Sequence, residues 1–156
     1  MLFRSVYGTH RTNVLEILGA DVAESFDIDE VGSIEPGNVM IIDDNHPGNL
    51  KMSRLAYDHR VAGVVSGALG LGPGVILRAD KVVPERRHIA LIGRVYCKAE
   101  ASSSPIAPGD MLTTSNIPGH AMRALDKTRS HGAILGKAMS SLESGTGLVM
   151  VLVNLQ

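Results

Sequence analysis

The sequence is poor in aromatic residues. Its 156 residues include no Trp, two Phe and three Tyr, which together make up 3% of the chain. Sites that stack single-stranded nucleic acid or a sugar use exposed aromatic faces, so a stacking site of that kind is poorly supported. Apolar residues make up 44% of the chain, enough for a folded core. Val, Ile, Leu, Met and Ala must fill that core.

The sequence also lacks an excess of charge of either sign. Lys and Arg number 15, Asp and Glu number 16, and no basic block occurs, which argues against binding to nucleic acid or to an anionic membrane. No apolar run approaches eighteen residues, so no membrane span is predicted. The first residues, MLFRS, lack the apolar core of a signal peptide. We expect the chain to be made in the cytoplasm as the C-terminal end of a longer protein, and a virion or cell-surface location stays open.

Cysteine is nearly absent. The single Cys97 excludes an intrachain disulfide and a multi-thiolate metal site, and its apolar surroundings predict a small buried side chain. None of the six His residues has the i, i+4 spacing of a helical zinc site. The glycine-rich residues 67–74 lack the Lys-Ser/Thr pair of a phosphate-binding loop and are expected to form a turn. The sequence therefore predicts neither a cofactor nor a bound metal.

Glycine and proline, in contrast, are frequent. Seventeen Gly and seven Pro separate short apolar runs that are rich in β-branched residues, a pattern typical of strands. These runs are residues 39–42, 61–65, 75–77, 89–92 and 148–153. The pattern predicts an all-β domain with few short helical turns, at residues 52–58 and 121–129. Residues 14–18, VLEIL, could form a further strand.

An internal repeat is the most informative feature. Residues 34–40, IEPGNVM, match residues 106–112, IAPGDML, and the later Pro47-Gly48 pair recurs as Pro118-Gly119. Two further segments recur in the same order, residues 60–65 as 130–135 and residues 72–77 as 145–150. Each Pro-Gly pair predicts a tight turn, because Pro fixes φ and Gly accepts the positive φ that follows. The repeat predicts a duplicated β-barrel or β-clip-like domain with pseudo-two-fold symmetry.

The repeat also suggests a domain organisation. Residues 1–20 lie outside it and are polar and Gly-containing, like a linker or the end of a stalk. Residues 21–156 would form a single β domain of two repeats, about 31–80 and 103–154, bridged by a strand at 87–101.

Five segments in a fixed order resemble one known family. They are residues 20–24 (ADVAE), 36–40 (PGNVM), 61–66 (VAGVVS), 89–95 (IALIGRV) and 148–153 (LVMVLV). This set resembles the C-terminal intramolecular chaperone domains of bacteriophage tail appendages, of the peptidase G2 type, and related domains of bacterial surface proteins. The resemblance spans residues 18–154. It implies a structural role in the assembly of a fibre-like or surface protein, as a homotrimer.

The resemblance also implies self-cleavage as an alternative function. Members of the family cleave before an Asp-x-x-Glu sequence that follows a Ser. Asp21 and Glu24 match, but the preceding residue is Ala20, which lacks a hydroxyl and argues against enzyme activity. In the catalytic interpretation Glu24 is a general base and Asp21 an orienting acid. The alternative is a solvated acidic loop that continues to Asp27, Asp29 and Glu30, and on a strand Asp21 and Glu24 would point to opposite faces.

A polar cluster at residues 43–46, DDNH, suggests a third function. Its oxygens could bind a hard cation, but the spacing differs from that of calcium loops, and an exposed hairpin tip explains the same residues. Together with residues 115–120, this loop could bind a surface receptor or a glycan.

Overall fold

A computed structural model of the chain describes residues 8–9, 11–28, 33–78 and 86–155. Strands dominate these residues, which confirms the all-β prediction. The strands are β1 (Asp21–Asp27), β2 (Val39–Ile42), β3 (Leu50–Met52), β4 (Val61–Val65), β5 (Val75–Leu77), β6 (Arg86–Glu100), β7 (Met111–Thr114), β8 (Ala121–Arg123), β9 (Ile134–Ala138) and β10 (Thr146–Asn154). A 3₁₀ turn (Ala68–Gly70) and one helical turn, α1 (Lys127–Ser130), accompany them.

Five strands of the C-terminal half close into a barrel, which confirms the predicted barrel. β10 pairs antiparallel with β6 along its whole length, from Thr146 opposite Glu100 to Asn154 opposite Ile92. The circle continues from β10 through β9, β7 and β8. β8 then returns to β6 through a parallel pairing. Closure matters because it pairs strand edges that would otherwise be free to bind another chain.

The N-terminal half repeats this order of pairing. β6 begins between β1 and β4, β4 pairs with β2, and β2 pairs with β3. A single parallel bridge between Ile28 and Leu50 joins the end of β1 to β3. β2, β3 and β4 thus correspond to β7, β8 and β9, while β1 corresponds to the second part of β6. The two halves share β6, which runs through the segment where a bridging strand is predicted.

The turns that begin each repeat are alike. Gly37 and Gly109, the glycines of equivalent Pro-Gly pairs, both have φ +92. The side chains that follow them, Asn38 and Asp110, each accept a hydrogen bond from the backbone N–H three residues earlier, at 2.7 and 2.8 Å. Each glycine N–H donates to the last carbonyl of β4 or β9, at 2.8 Å in both halves. The turn chemistry read from the sequence therefore fixes where β2 and β7 begin.

One part of the predicted repeat is wrong. The similarity of residues 72–77 to 145–150 matched β5 with β10, but the counterpart of β10 is the first part of β6. β5 pairs with β1 in parallel instead. The two segments share only a glycine turn before an apolar run, and that local chemistry does not determine which strand becomes the neighbour.

Two predicted helical segments are also wrong in part. Residues 52–58 contain the end of β3 and a turn at Tyr57, which has φ +58. Residues 121–129 begin with β8, and only α1 is helical, with Asp126 as its N-cap acceptor for two backbone N–H groups. Residues 14–18, suggested as a strand, belong to no strand. No helix in the described parts of the chain is long and apolar enough to cross a membrane.

The core follows from alternation along the strands. On β10, Val149, Val151 and Val153 are buried, whereas Leu148 and Leu152 face outward. This period of two is what a strand with one buried face requires. The inward side chains pack with those of β6, β7 and β9 into the main core cluster. A second cluster lies under the N-terminal half and comprises Ile28, Ile34, Met40, Leu50, Met52, Val65 and Ile89.

We predict that Gly136→Ala destabilises the domain. Gly136 lies in β9 against β10, and a Cβ there would overlap the Leu152 carbonyl oxygen and lie 3.0 Å from the Val153 Cα. Backbone atoms cannot give way as a flexible side chain can, so we expect a loss of roughly 2–3 kcal/mol in the free energy of unfolding. Urea unfolding measures it. Gly72→Ala is the control, because nothing lies within 4 Å of the added Cβ. It should change the free energy of unfolding by less than about 0.5 kcal/mol. Equal stability of the two variants would refute the prediction.

Candidate functional site

The Ala20–Asp21 peptide lies at the start of β1, held between β6 and the glycine-rich loop. The Arg94 N–H donates to the Ala20 carbonyl oxygen at 3.0 Å. On the other side, the Ala20 N–H donates to the Gly72 carbonyl at 3.3 Å, and the Gly74 N–H donates to the Asp21 carbonyl at 2.8 Å. Backbone contacts on both sides therefore fix the peptide bond at which the family resemblance would place cleavage.

Glycines let the backbone segments approach this peptide closely. A Cβ on Gly93, which has φ +105, would lie 2.7 Å from the Ala20 carbonyl oxygen. A Cβ on Gly19 would overlap the backbone of Gly74. A side chain at either position would push the neighbouring segments apart. The predicted turn at residues 67–74 thus has a second role, since it forms one wall of the junction.

The Asp21 side chain points into the domain and is 4% exposed. The Ser66 hydroxyl donates to its Oδ2 at 2.7 Å, while its Oδ1 has no hydrogen-bond partner among the described residues. Burial raises the pKa of Asp21 above its ordinary value, and the Ser66 hydrogen bond and the nearby His88 ring offset part of that rise. Ionisation of Asp21 therefore costs folding free energy as the pH rises from its ordinary pKa through its raised folded value.

A chain of hydrogen bonds extends from this carboxyl along the sheet. Ser25, four residues after Asp21 on the same face of β1, is buried, and its hydroxyl lies 3.0 Å from His88 Nδ1. The Ser66 N–H donates to the His88 carbonyl at 2.9 Å. Hydrogen bonds thus link Asp21 to Ser66, the Ser66 backbone to the His88 backbone, and the His88 ring to Ser25, and we call these four residues the junction cluster. It joins β1, β6 and the residue that follows β4.

Glu24 does not belong to the junction cluster. Along β1, Asp21, Ala23 and Ser25 are buried, and Glu24 lies on the alternate, half-exposed face. A strand places residues three apart on opposite faces, so the structure does not bring the carboxyls of Asp21 and Glu24 together within one chain. Of the proposed acidic loop, Asp27 is instead in β1 and bound by Arg86 at 2.6 Å, and residues 29 and 30 lie outside the described residues.

The cluster at residues 43–46 forms the tip of the β2–β3 hairpin, as the simpler interpretation predicts, but Asp43 is not exposed. Its side chain is 5% exposed and accepts from the Asn45 N–H at 2.9 Å and from His46 Nδ1 at 3.0 Å. The Lys51 ammonium lies 3.2 Å from it. The Asn45 N–H, then His46 and Lys51, hold the pKa of Asp43 well below its usual range.

A cleft of about 460 Å³ opens beside this hairpin and is lined by paired charges. Lys51 contacts Asp44 as well as Asp43. Arg60 lies 2.8 Å from Asp44 and 2.8 Å from Asp58. The carboxylates that could bind a hard cation are therefore occupied by the protein's own cations. The described residues hold no group of three His, Cys, Asp or Glu side chains placed to bind a metal.

The second predicted binding loop, residues 115–120, joins the two halves. The Gly119 N–H donates to the Ser53 carbonyl and the Gly119 carbonyl accepts from Val39, both at 2.9 Å. The Ser115 hydroxyl donates to Glu100 at 3.0 Å, and Glu100 is only 7% exposed. Sequence patterns could not predict these contacts, because the partners are distant along the chain.

Cys97 and Tyr57 have structural roles. Cys97 is fully buried, which raises the pKa of its thiol to about 12 and confirms its expected role as a small apolar side chain. Tyr57 links the halves, because its hydroxyl accepts from the N–H groups of Leu125 and Asp126 at 3.0 Å each. Arg129 stacks over its ring at 4.4 Å. His10 lies outside the described residues.

Ser66 is the residue of this site that sequence reasoning missed. In the sequence it is only the last residue of the segment VAGVVS at residues 61–66, directly after the apolar run. Forty-five residues separate it from Asp21, and only the pairing of β1 and β4 with the same part of β6 brings the two together.

Comparisons with known proteins concern the fold. No family model and no curated protein sequence matches the chain. Among solved structures, the chain is similar to the C-terminal fragment of gene product 12 of bacteriophage phi29, a tail appendage protein. The similarity covers 86% of this chain and 100% of that one, with a TM-score of 0.57 and 15% sequence identity. At that identity the likeness is one of fold, and the chain has a phage tail appendage-like fold.

Proposed function

We propose that this chain is a structural domain that assembles copies of itself, as part of a fibre-like or surface protein. The observation that supports this most is an apolar band on its outer surface. The band consists of Ile17, Val22, Val75, Ile92, Leu152 and Met111. Contiguous exposed apolar surface on a small domain marks an interaction site.

The band is made of two clefts on the outer face of the sheet. Ile17, Val22, Val75 and Ile92 line one shallow cleft, and Leu152 and Met111 line another. Ile92 is 63% exposed, and Leu152 and Met111 are more than 40% exposed. Leu152 lies opposite Arg94, only two residues along β6 from Ile92, so the two clefts are neighbours.

The segment before β1 has the right chemistry to cover this band on another copy. Val14, Leu15 and Leu18 are 80%, 69% and 99% exposed in a stretch that belongs to no strand. Glu16 is the one charged residue between Val14 and Leu18. Arg94 and Lys137 flank the band, so the segment and the band are complementary in both apolar surface and charge.

A contact between two different surfaces is heterologous, and it closes into a ring when the rotation between copies allows. A ring of three agrees with the homotrimer that the family resemblance implies. It would gather three N-terminal segments at one end, where an upstream fibre would continue. Setting the register of those upstream chains is the intramolecular chaperone role.

Self-cleavage between Ala20 and Asp21 is the second candidate function. The observation that favours it is the fixed Ala20–Asp21 peptide, with a hydrogen-bond donor on its carbonyl and a buried carboxyl on its amine side. Buried carboxyls with a raised pKa are common among acid and base groups of active sites. Cleavage would release the domain from an assembled fibre.

Receptor or glycan binding is the third candidate, and the charged cleft supports it. Its charges neutralise one another, so a neutral hydroxyl-rich ligand would bind without leaving a buried charge unpaired. Asp44, at 56% exposed, and Lys51 and Arg60, at about a quarter exposed, could form charge-assisted hydrogen bonds to hydroxyl groups.

We predict that the chain is a trimer in solution and that the band holds it together. Light scattering after size exclusion should give three times 16.5 kDa for the natural chain. The double variant Ile92→Ser, Leu152→Ser should be monomeric, because it removes apolar surface from the centre of the band. Leu55→Ser with Leu69→Ser is the control, since these leucines are 59% and 71% exposed outside the band. A monomeric natural chain would refute self-assembly. A trimeric band variant would show that the band does not hold the trimer together.

For self-cleavage, we predict that the assembled chain loses residues 1–20 on standing and that Asp21→Asn stops the loss. An amide at position 21 keeps the shape but cannot take up a proton as a base. Intact mass against time measures the loss. Glu24→Gln is the matched comparison and should leave cleavage intact, because Glu24 faces away from the junction. If Glu24→Gln alone stops cleavage, the base is Glu24 and not Asp21, and a stable full-length chain counts against self-cleavage as a whole.

For the cleft, we predict that a glycan array gives specific signals that Asp44→Ala abolishes. The substitution removes the most exposed carboxylate of the cleft and one partner of both cations. Glu143→Ala, an exposed carboxylate outside the cleft, serves as the control and should keep the signals. An array without signals above background would rule out the glycan interpretation.

A further inference from the structure

A small cavity lies where the segment between β3 and β4 meets the C-terminal half. Its volume is about 190 Å³, and its lining includes Tyr57 from that segment and Glu100, Met122, Arg123 and Leu125 from the other side. Pockets for drug-sized ligands hold roughly 300 Å³ or more, so this cavity fits only a smaller molecule. None of these five residues belongs to the apolar band, the junction cluster or the charged cleft.

Glu100 brings a buried carboxylate without a counter-charge to this cavity. It is 7% exposed, and its oxygens accept from the Ser102 N–H at 2.8 Å and from the Ser115 hydroxyl at 3.0 Å. Within the described part of the chain, no Lys, Arg or His pairs with it. Buried charges in proteins are normally paired, and each carboxylate oxygen can accept a further hydrogen bond. The cavity therefore offers a strong acceptor for an ammonium group.

Arg123 and Tyr57 bring hydrogen-bond donors that the protein leaves largely unused. Arg123 Nη2 lies 3.1 Å from Asp110. Its Nη1 lies 3.4 Å from the Ser104 hydroxyl and 3.5 Å from the Pro105 carbonyl, beyond ordinary hydrogen-bond distance. The Tyr57 oxygen accepts two backbone N–H groups, and its own proton has no acceptor among the described residues. Both side chains can therefore donate to a ligand carboxylate.

Strand pairing places these groups next to one another. Ala99 pairs with Ala121 where β6 and β8 run parallel, so Glu100 and Arg123 follow on neighbouring strands. Met122 comes between Ala121 and Arg123 and gives the lining apolar surface. One small cavity thus combines a negative charge, unused donors and apolar surface.

Tyr57 is held in an unfavourable backbone conformation at this cavity. Its φ is +58, in the left-handed region that bulky residues rarely adopt. Contacts with the C-terminal half hold it there. The Tyr57 N–H donates to the Thr114 carbonyl at 3.2 Å, and Arg129 stacks over the ring at 4.4 Å. Strained residues persist where neighbours fix them, and they cluster at ligand-binding sites.

We propose that this cavity binds a free amino acid with a small apolar side chain. The ligand's ammonium pairs with Glu100, its carboxylate accepts from Arg123 Nη1 and the Tyr57 hydroxyl, and its side chain lies against Met122 and Leu125. A neutral sugar of similar size would leave the buried Glu100 charge without a cation. A simple amine would leave the Arg123 and Tyr57 donors unused. Only a molecule with both charges satisfies all three polar side chains.

Calorimetric titration of the full chain with alanine, valine and leucine tests the proposal. We expect at least one of them to bind and, in ¹H–¹⁵N NMR spectra, to shift the amide signals of Tyr57, Arg123 and Leu125. The N-acetyl derivative of the bound amino acid has no ammonium, and its amide derivative has no carboxylate. Each derivative should bind at least about tenfold more weakly, because each loses one charge-assisted contact.

Glu100→Gln is the most informative variant. Its side-chain amide keeps an acceptor for Ser102 and Ser115 but carries no charge. It should weaken binding of the amino acid at least about tenfold and leave binding of the N-acetyl derivative nearly unchanged, because that derivative has no ammonium to pair. Glu143→Gln, the same change at an exposed carboxylate outside the cavity, is the matched control and should bind like the natural chain. Thermal unfolding establishes that both variants are folded.

The ligand derivatives test the proposal on the natural chain, even where a variant fails to fold. If none of the three amino acids binds, the proposal is wrong. If glucose binds as tightly as the amino acid, the cavity is not selective for paired charges, and the assignment fails. If the amide derivative binds as tightly as the amino acid while the N-acetyl derivative does not, the ligand is the N-terminus of a peptide and not a free amino acid.

Discussion

The fold depends on β6, the fifteen-residue strand that both halves share. Its first part pairs with β1 and β4, and its second part pairs with β10 and β8. Neither half can complete its circle of strands without it. Gly93, at φ +105, lies where β6 passes from one half to the other, and the Ala20 carbonyl approaches there. The junction is therefore a consequence of how the two halves are joined.

The sequence predicted the class of fold because its signals are local. Pro-Gly pairs and short β-branched runs are complete within a few residues, and both Gly37 and Gly109 adopt the positive φ that such turns need. The sequence did not predict which strands pair, because pairing depends on segments that are distant along the chain. β5 and β10 have similar sequences but different partners, and residues 121–123 became strand β8 through pairing with β7. Helix propensity at these positions is weaker than the hydrogen bonds of the ladder.

The candidate site was predictable only in part, for the same reason. The family resemblance marked Asp21 and Glu24 together, and only the structure, which places both on β1, shows that Glu24 faces away from Asp21. Ser66 could not be found, because its contact with Asp21 depends on β1 and β4 both pairing with β6. Asp43 looked like an exposed tip residue, and its burial depends on a turn that folds the Asn45 N–H and Lys51 onto it.

Asp21 and Asp43 are both buried, yet they differ in what surrounds them. Asp43 accepts a backbone N–H and two side-chain donors, and its lowered pKa makes its charge a source of stability that is lost only in acid. Among the described residues Asp21 has one side-chain donor and no partner for its Oδ1, and its raised pKa means that ionising it costs folding free energy. An amide or hydroxyl side chain at position 21 would cost less folding free energy than the ionised carboxylate does. The number of donors, and not burial alone, therefore decides whether a buried carboxylate stabilises this fold.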